Sequence, residues 1–238
     1  MHEWSERTLL LFGEEKLARL TDTCVLVVGV GGVGAYAAEM LVRAGVGNIT
    51  IVDGDSVSMS NINRQLLALH STVGRSKTEV LKERLLDINP GLNICANNLF
   101  LTADNMGELF NDKEYDYVID AIDTVAPKVS LIEHCLRNRI KIISSMGAGG
   151  RVDPSVVQYA DIADTYHDGL AKVVRTRLRE LGLRSGLKVV WSPEQPSKSS
   201  LMMTSETPNK RSSYGTVSYM PCVFGCMLAA YVIRKIPA

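Results

Sequence analysis

The chain has 238 residues, with 26 Lys and Arg balanced by 26 Asp and Glu, 46% apolar and 22% charged positions. That length suits one large domain, or one domain with an appendage, around a real core, and the zero formal charge excludes a global field drawing it to nucleic acid or anionic lipid, though not a local basic patch. Cys24, Cys95, Cys135, Cys222 and Cys226 are scattered and odd in number, so they offer no disulfide framework and point to a reducing cytoplasm.

In chain order, residues 4–20 carry apolar positions at helical spacing and predict one or two short helices; the opening MHEWSERTLLLFGEEKL lacks the build of a signal peptide. The β-branched run at 24–28 predicts a buried parallel strand, followed by a glycine turn and a helix over 33–44 that Gly45 ends. A second buried strand is predicted over 48–52, then an amphipathic helix over 74–89 stopped by Asn-Pro-Gly at 89–91. A strand over 92–98, a short helix over 104–110 and a core strand in YDYVIDAID come next. They are followed by a helix over 126–139, a core strand with a glycine-rich exit in IKIISSMGAGG, and an edge strand over 156–160. This alternation predicts an α/β fold, a Rossmann-like doubly wound and mostly parallel sheet. Past residue 161 the rhythm changes to a basic amphipathic helix over 169–181 and a strand in LKVVWS. The stretch 192–213 is rich in Ser, Pro, Lys and Thr without an apolar period and reads as a long mobile loop, before a closing helix over 221–235. The apolar stretch 220–233 is too short and interrupted to span a bilayer. The chain thus reads as a single domain over 1–238, with a helical segment at 1–20, a nucleotide-binding core at 21–160 and a substrate-facing region at 161–238.

GVGGVG, with Gly29, Gly31, Gly32 and Gly34, fits G-x-G-x-x-G between a strand and a helix. The glycines let the backbone approach a phosphate, and the helix N-terminus favours anionic oxygens. Asp53 ends the next strand, at the interval expected of an acid that holds a ribose hydroxyl. The motif leaves the nucleotide open, and a glycine turn serving only helix–strand packing has the same pattern. The residues downstream narrow the choice. Asn61, Arg64 and Gln65 cluster in SNINRQ, and Lys77 opens the next helix. Singly, Arg64 reads as a surface salt bridge and Lys77 as a solvated helix residue. Together, beyond Asp53, they suit the charge of a triphosphate with a pyrophosphate leaving group better than that of a nicotinamide dinucleotide. Asp120 and Asp123 end a parallel strand at the ligand-bearing edge of such a sheet. Carboxylates beside a triphosphate suggest a Mg²⁺ ligand, and an N-cap is the structural alternative; Asp123 is the favoured functional one, with Asp120 structuring the turn.

The glycine loop 29–34, Asp53 with Asp55, SNINRQ, Lys77 thirteen residues past Arg64, and Asp123 together resemble the adenylating enzymes that activate carboxylates, the E1-like superfamily with its ThiF-type ATP-binding fold. The resemblance implies that Asp53 holds the ribose, that Asn61, Arg64 and Lys77 hold the phosphates, and that Asp123 holds Mg²⁺ through ATP. Arg64, Lys77 and Asp123 would then be the catalytic residues, with Asp55 and Gln65 completing the ATP site. It also implies a homodimer in which Arg7 reaches the ATP of the other copy, and it admits a monovalent cation, Na⁺ or K⁺.

Three features narrow the branch. Paired C-x-x-C zinc motifs are absent, Cys222 and Cys226 read as core, and 192–213 has no cysteine for thioester or persulfide chemistry. RTLLLFGEEKL, NINRQLLALHSTVGRSKTEV, VIDAIDTVAPK, SSMGAGGRVDP, ADIADTYHDGLAKVVRTRLRELG and GTVSYMPCVFG resemble the tRNA threonylcarbamoyladenosine dehydratases over nearly the whole chain. That resemblance implies ATP-dependent cyclisation of a threonylcarbamoyl group on tRNA through an acyl-adenylate. A sulfur-transfer accessory protein, a partner of some relatives, is not expected without the loop cysteine. Arg151, Lys172, Arg175 and Arg179 are candidate tRNA contacts; structural ion pairing is the competing reading for Arg151 and a solvated basic face for the others. Lys198, Lys210 and Arg211 could add phosphate contacts from the loop. The competing functions are activation of a ubiquitin-like or sulfur-carrier protein, a dinucleotide oxidoreductase, and a nucleotide-sensing module without turnover.

Overall fold

The computed structural model describes residues 3–111, 113–203 and 212–237. Seven strands, β1 (Cys24–Val28), β2 (Asn48–Val52), β3 (Asn93–Asn97), β4 (Tyr117–Asp120), β5 (Ile142–Ser145), β6 (Gln158–Asp161) and β7 (Lys188–Trp191), form one sheet in the order β3-β2-β1-β4-β5-β7-β6. All neighbours pair in parallel except β6, which runs antiparallel to β7 at the edge. The central strands are continuous apolar runs because both faces are covered. Val25, Val27, Ile49, Ile51 and Ile119 face one layer, and Leu26, Val28, Val52 and Val118 the other. The chain winds from β1 toward β2 and β3 on one side and toward β4 and β5 on the other, so the crossover changes direction beside β1.

The helices are α1 (Glu6–Asp22), α2 (Gly34–Arg43), α3 (Lys77–Ile88), α4 (Val125–Arg137), α5 (Gly169–Glu180) and α6 (Tyr219–Lys235). Gly13, at φ 81°, breaks α1 into two helical pieces. The second half of the chain is built into the same body: β7 continues the sheet, and Phe224, Leu228 and Val232 of α6 are buried in the layer that also holds Ala37, Ala38 and Leu41 of α2. Gly225 permits this approach, since a Cβ there would lie 2.4 Å from the Val33 carbonyl oxygen. Among the described residues no helix is long and apolar enough to cross a membrane.

Two expected elements are corrected. The short helix expected over 104–110 is present as the 3₁₀ helix Met106–Phe110, but the edge strand expected from 156 begins at Gln158 because Pro154–Val156 makes a 3₁₀ turn first. The stretch 192–213 is not loop throughout: after the turn Lys198–Ser200, β8 (Leu201–Met203) and β9 (Ser212–Tyr214) pair as an antiparallel ribbon, Leu201 opposite Tyr214. Three-residue strands are too short to write a period-two pattern into sequence. Lys210 and Arg211 lie outside the described residues.

Candidate functional site

Register brings the site together. Val52, Val28 and Asp120 lie side by side at the ends of β2, β1 and β4, so the three loops that follow leave from one line at the carboxyl edge. The glycine loop after β1 is compressed against its surroundings. A Cβ on Gly34 would sit 1.8 Å from the Gly29 carbonyl oxygen, and one on Gly29, at φ +83°, would meet the Ala121 carbonyl oxygen at 2.8 Å. Those two positions are glycine by necessity. Gly32 packs between Pro221 of α6 and the Arg64 carbonyl, at 3.2 and 3.4 Å from its hypothetical Cβ. Gly31 is looser, with Gln65 Nε2 at 3.6 Å. The segment carrying Arg64 and Gln65 therefore lies on the glycine loop.

Asp53 closes the loop from the β2 side. Its carboxylate accepts the Val30 N–H at 2.7 Å and the Asp55 N–H at 2.9 Å. Asp55 in turn accepts Lys77 Nζ at 2.7 Å; the Lys77 side chain is 7% exposed and that of Asp55 54%. Lys77 is thus neither solvated nor remote, but an enclosed cation one carboxylate away from Asp53. The Arg64 Nη1 donates to the Ser60 carbonyl at 2.8 Å and to Asn63 Oδ1 at 2.9 Å, both neutral acceptors, so the surface salt bridge expected of a lone arginine is not its geometry. Asn61 Oδ1 accepts the Ser58 N–H and caps its own turn. Gln65 Oε1 is buried with no hydrogen-bond partner among the described residues. A buried acceptor without a donor is costly, and beside Gly31 it marks a place where a ligand or water is expected. Asp123 is exposed on the loop between β4 and α4, directly before the N-cap Thr124.

Burial pushes the Asp53 carboxyl up from the usual aspartate range, against the opposing pull of Lys77 and of the Asp55 and Val30 N–H donors. A carboxyl raised on folding holds its proton more tightly in the folded chain. Its stabilising contribution is complete in acid below the ordinary aspartate value and is lost as pH rises through the raised one. The ribose-holding role expected of Asp53 from the sequence requires the ionised form, so in that role ATP affinity should run the opposite way. Calorimetric titration in progressively acid buffer should show ATP binding weaken with a midpoint above the ordinary aspartate value, and Asp53→Asn should remove that inflection. A wild-type midpoint at or below the value of an exposed aspartate would contradict the assignment.

The other sequence candidates divide. Arg151 is 2% exposed, ion-paired to Asp168 at 3.1 Å, and donates to the carbonyl oxygens of Gly147, His167 and Glu194. Its guanidinium is spent on holding the β5 exit loop to the start of α5, which is the ion-pairing reading and corrects its candidacy as a tRNA contact. Arg175 folds back in the same way onto the Thr165 hydroxyl at 2.6 Å and carbonyl at 2.9 Å, whereas Lys172 and Arg179 are exposed on α5. Arg7 is exposed and lines, with Leu11, Phe12 and Arg234, a groove of about 420 Å³ between α1 and α6. Ala44, just past the far end of α2, lines it too, so Arg7 stands away from the glycine loop of its own chain.

Three residues of the neighbourhood were not singled out from sequence. Phe100, 67% exposed, lies against Gly54, whose hypothetical Cβ would meet the ring at 2.5 Å; an exposed Phe at a carboxyl-edge loop was the available signal. Asn63 donates to the Thr216 carbonyl at 2.9 Å and so ties the Arg64 turn to the segment after β9. Lys128 is fully buried against Asp120, where the pattern reads only as helix. The cysteines are unpaired, and burial pushes the thiols of Cys24, Cys135 (up to about 12) and Cys222 (up to about 11) above their ordinary value. Thiols so raised are poor nucleophiles.

The chain matches the ThiF family over residues 5–237. It is 41% identical to the tRNA threonylcarbamoyladenosine dehydratase of Bacillus subtilis over 243 residues, 99% of this chain and 95% of that protein. The crystal structure of the Escherichia coli tRNA N6-threonylcarbamoyladenosine dehydratase, TcdA, in complex with ATP is similar with a TM-score of 0.90 at 36% identity, over 98% of this chain and 93% of that one. The molybdopterin-synthase adenylyltransferase of Escherichia coli is 34% identical over 71% of this chain and 68% of its own length. The chain belongs to the ThiF family, in the branch of the tRNA threonylcarbamoyladenosine dehydratases.

Proposed function

We propose that the protein is an ATP-dependent dehydratase that cyclises N6-threonylcarbamoyladenosine in tRNA. The single observation that carries this reading is the whole-chain likeness to dehydratases, one of them holding ATP, around a glycine loop, Asp53 and Lys77 gathered at one sheet edge. The carboxylate of the threonyl group attacks the α-phosphorus of ATP, and the bond to the bridging oxygen breaks to release pyrophosphate. The neighbouring carbamoyl group then attacks the acyl carbon, closing an oxazolone ring and expelling AMP. The net change in the nucleoside is loss of one water, and ring closure within one molecule needs no protein nucleophile. The lack of a cysteine in residues 192–213 supports that route over a thioester path, and the shorter match to the adenylyltransferase makes carrier-protein activation the weaker reading.

In this reading Asp53 orients the ribose, the Gly29–Gly34 loop and the start of α2 take phosphate oxygens, and Arg64 and Lys77 face the charge that grows on the triphosphate. Fixed donors aimed at developing charge are commonly the largest catalytic term. Mg²⁺ fits the donor chemistry of an exposed carboxylate, Asp123, at the carboxyl edge, since Mg²⁺ typically takes one or two carboxylates and shares phosphate oxygens. Asp123 would hold it, and it would neutralise triphosphate charge. A Na⁺ or K⁺ ion is also admitted. The proposal places the enzyme in the cytoplasm as a homodimer, supported by Leu10 and Leu11, 75% and 74% exposed on α1 close to Arg7. Lys172 and Arg179 are its candidate tRNA contacts. Mass analysis of nucleosides after incubation of substrate tRNA with enzyme and ATP tests the function. Loss of one water with AMP release is the expected result, and an unchanged nucleoside, or activity only with a carrier protein ending in Gly-Gly, would overturn it.

A further inference from the structure

The end of β4 contains an ion pair with no access to solvent. Asp120 and Lys128 are each 0% exposed and meet at 2.8 Å, and Lys128 is among the largest fully buried side chains of the chain. Asp120 Oδ2 also accepts the Ser144 hydroxyl at 2.6 Å from β5. The remaining bonds converge on one residue: Asp120 Oδ1 accepts the Ile122 N–H at 3.1 Å, and Lys128 Nζ donates to the Ile122 carbonyl at 2.9 Å. Ala121 is tied in by its N–H to the Val28 carbonyl at 2.8 Å.

Two buried opposite charges are weak stabilisers, because the desolvation they suffer roughly offsets their attraction, and an apolar pair of the same volume often serves as well. What an apolar pair could not do is hold the N–H and the C=O of Ile122 at once. The Ile122 carbonyl belongs to the peptide that leads into Asp123, so clamping it sets where Asp123 leaves the sheet. We infer that Asp120 and Lys128 are positioning residues that fix the Asp123 carboxylate for the Mg²⁺–ATP complex. This rests on the assignment of Asp123 made above.

ATP binding without tRNA, followed calorimetrically at stepped Mg²⁺ concentrations, tests this without relying on turnover. Asp123→Ala and the neutral double variant Asp120→Asn/Lys128→Met should each raise the half-saturating Mg²⁺ by about tenfold, the lower end for loss of an outer-shell support. ATP affinity without Mg²⁺ should stay within about twofold. The triple variant should show no shift beyond that of Asp123→Ala, because a clamp acting through Asp123 has nothing left to position. A further full shift in the triple variant, or no shift in the double variant, overturns the inference. An unmoved Mg²⁺ requirement in Asp123→Ala overturns the assignment of Asp123 and the inference with it, leaving the dehydratase reading untouched. If the double variant does not fold, Ser144→Ala, which removes one donor to Asp120, carries the test. It should raise the half-saturating Mg²⁺ in the same direction, and an unchanged value overturns the inference.

Discussion

Replacing Lys77 with alanine should lower the rate of pyrophosphate release by about two to three orders of magnitude, the usual cost of deleting one donor aimed at developing charge. The size follows from enclosure. The ammonium is held at 2.7 Å from Asp55 with its side chain only 7% exposed, so water cannot easily take its place. Removal also leaves Asp53 and Asp55 without their cation, so two uncompensated carboxylates would face the incoming triphosphate. Single-turnover release of pyrophosphate, at saturating ATP and threonylcarbamoyl-bearing tRNA, is the measurement. Arg64→Ala should show a loss of the same order, because its Nη1 is held only by neutral acceptors and remains available for a phosphate. Wild-type rates in both variants would take the triphosphate away from this edge of the sheet.

Gly34→Ala is expected to damage the fold and the ATP site together. Its Cβ would stand 1.8 Å from the Gly29 carbonyl oxygen, backbone against side chain, with no flexible neighbour to give way. The turn must open, at a cost of about 3 kcal/mol, the upper end for an overpacked site. Gly31→Ala is the informative contrast. There the new methyl would meet Gln65 Nε2 at 3.6 Å, an ordinary contact, so unfolding in urea should be close to wild type while ATP binds more weakly because the loop surface is crowded. Equal destabilisation by the two substitutions would mean that the turn serves packing alone.

The central sheet was readable because strands buried on both faces are written as unbroken apolar runs, such as CVLVV and NITIV. The gathering of the glycine loop, Asp53 and Lys77 at one sheet edge was readable because each member has a local excuse: glycines in a turn, an acid at a strand end, a lysine at a helix start. What sequence could not convey was the partner of each charge. Arg175 looked like a surface cation and Arg151 had ion pairing as one of two readings, yet that Arg151 finds Asp168 and Arg175 finds Thr165 comes only from separate elements meeting. Lys128 was hidden for the same reason, since nothing in TVAPK announces that a helix will point an ammonium into the sheet. The β8–β9 ribbon escaped because three residues a side are too few to establish alternation.

The alignment of Val52, Val28, Asp120 and Ser144 across four strands has an evolutionary consequence. Loops beyond that row can lengthen or shorten while their anchor points stay level, but the strands themselves cannot change length singly. Deleting one residue from β2 would drag Asp53 back by about 3.3 Å and turn the side chains that follow to the opposite face. Insertions and deletions should therefore accumulate beyond the row and be purged within it.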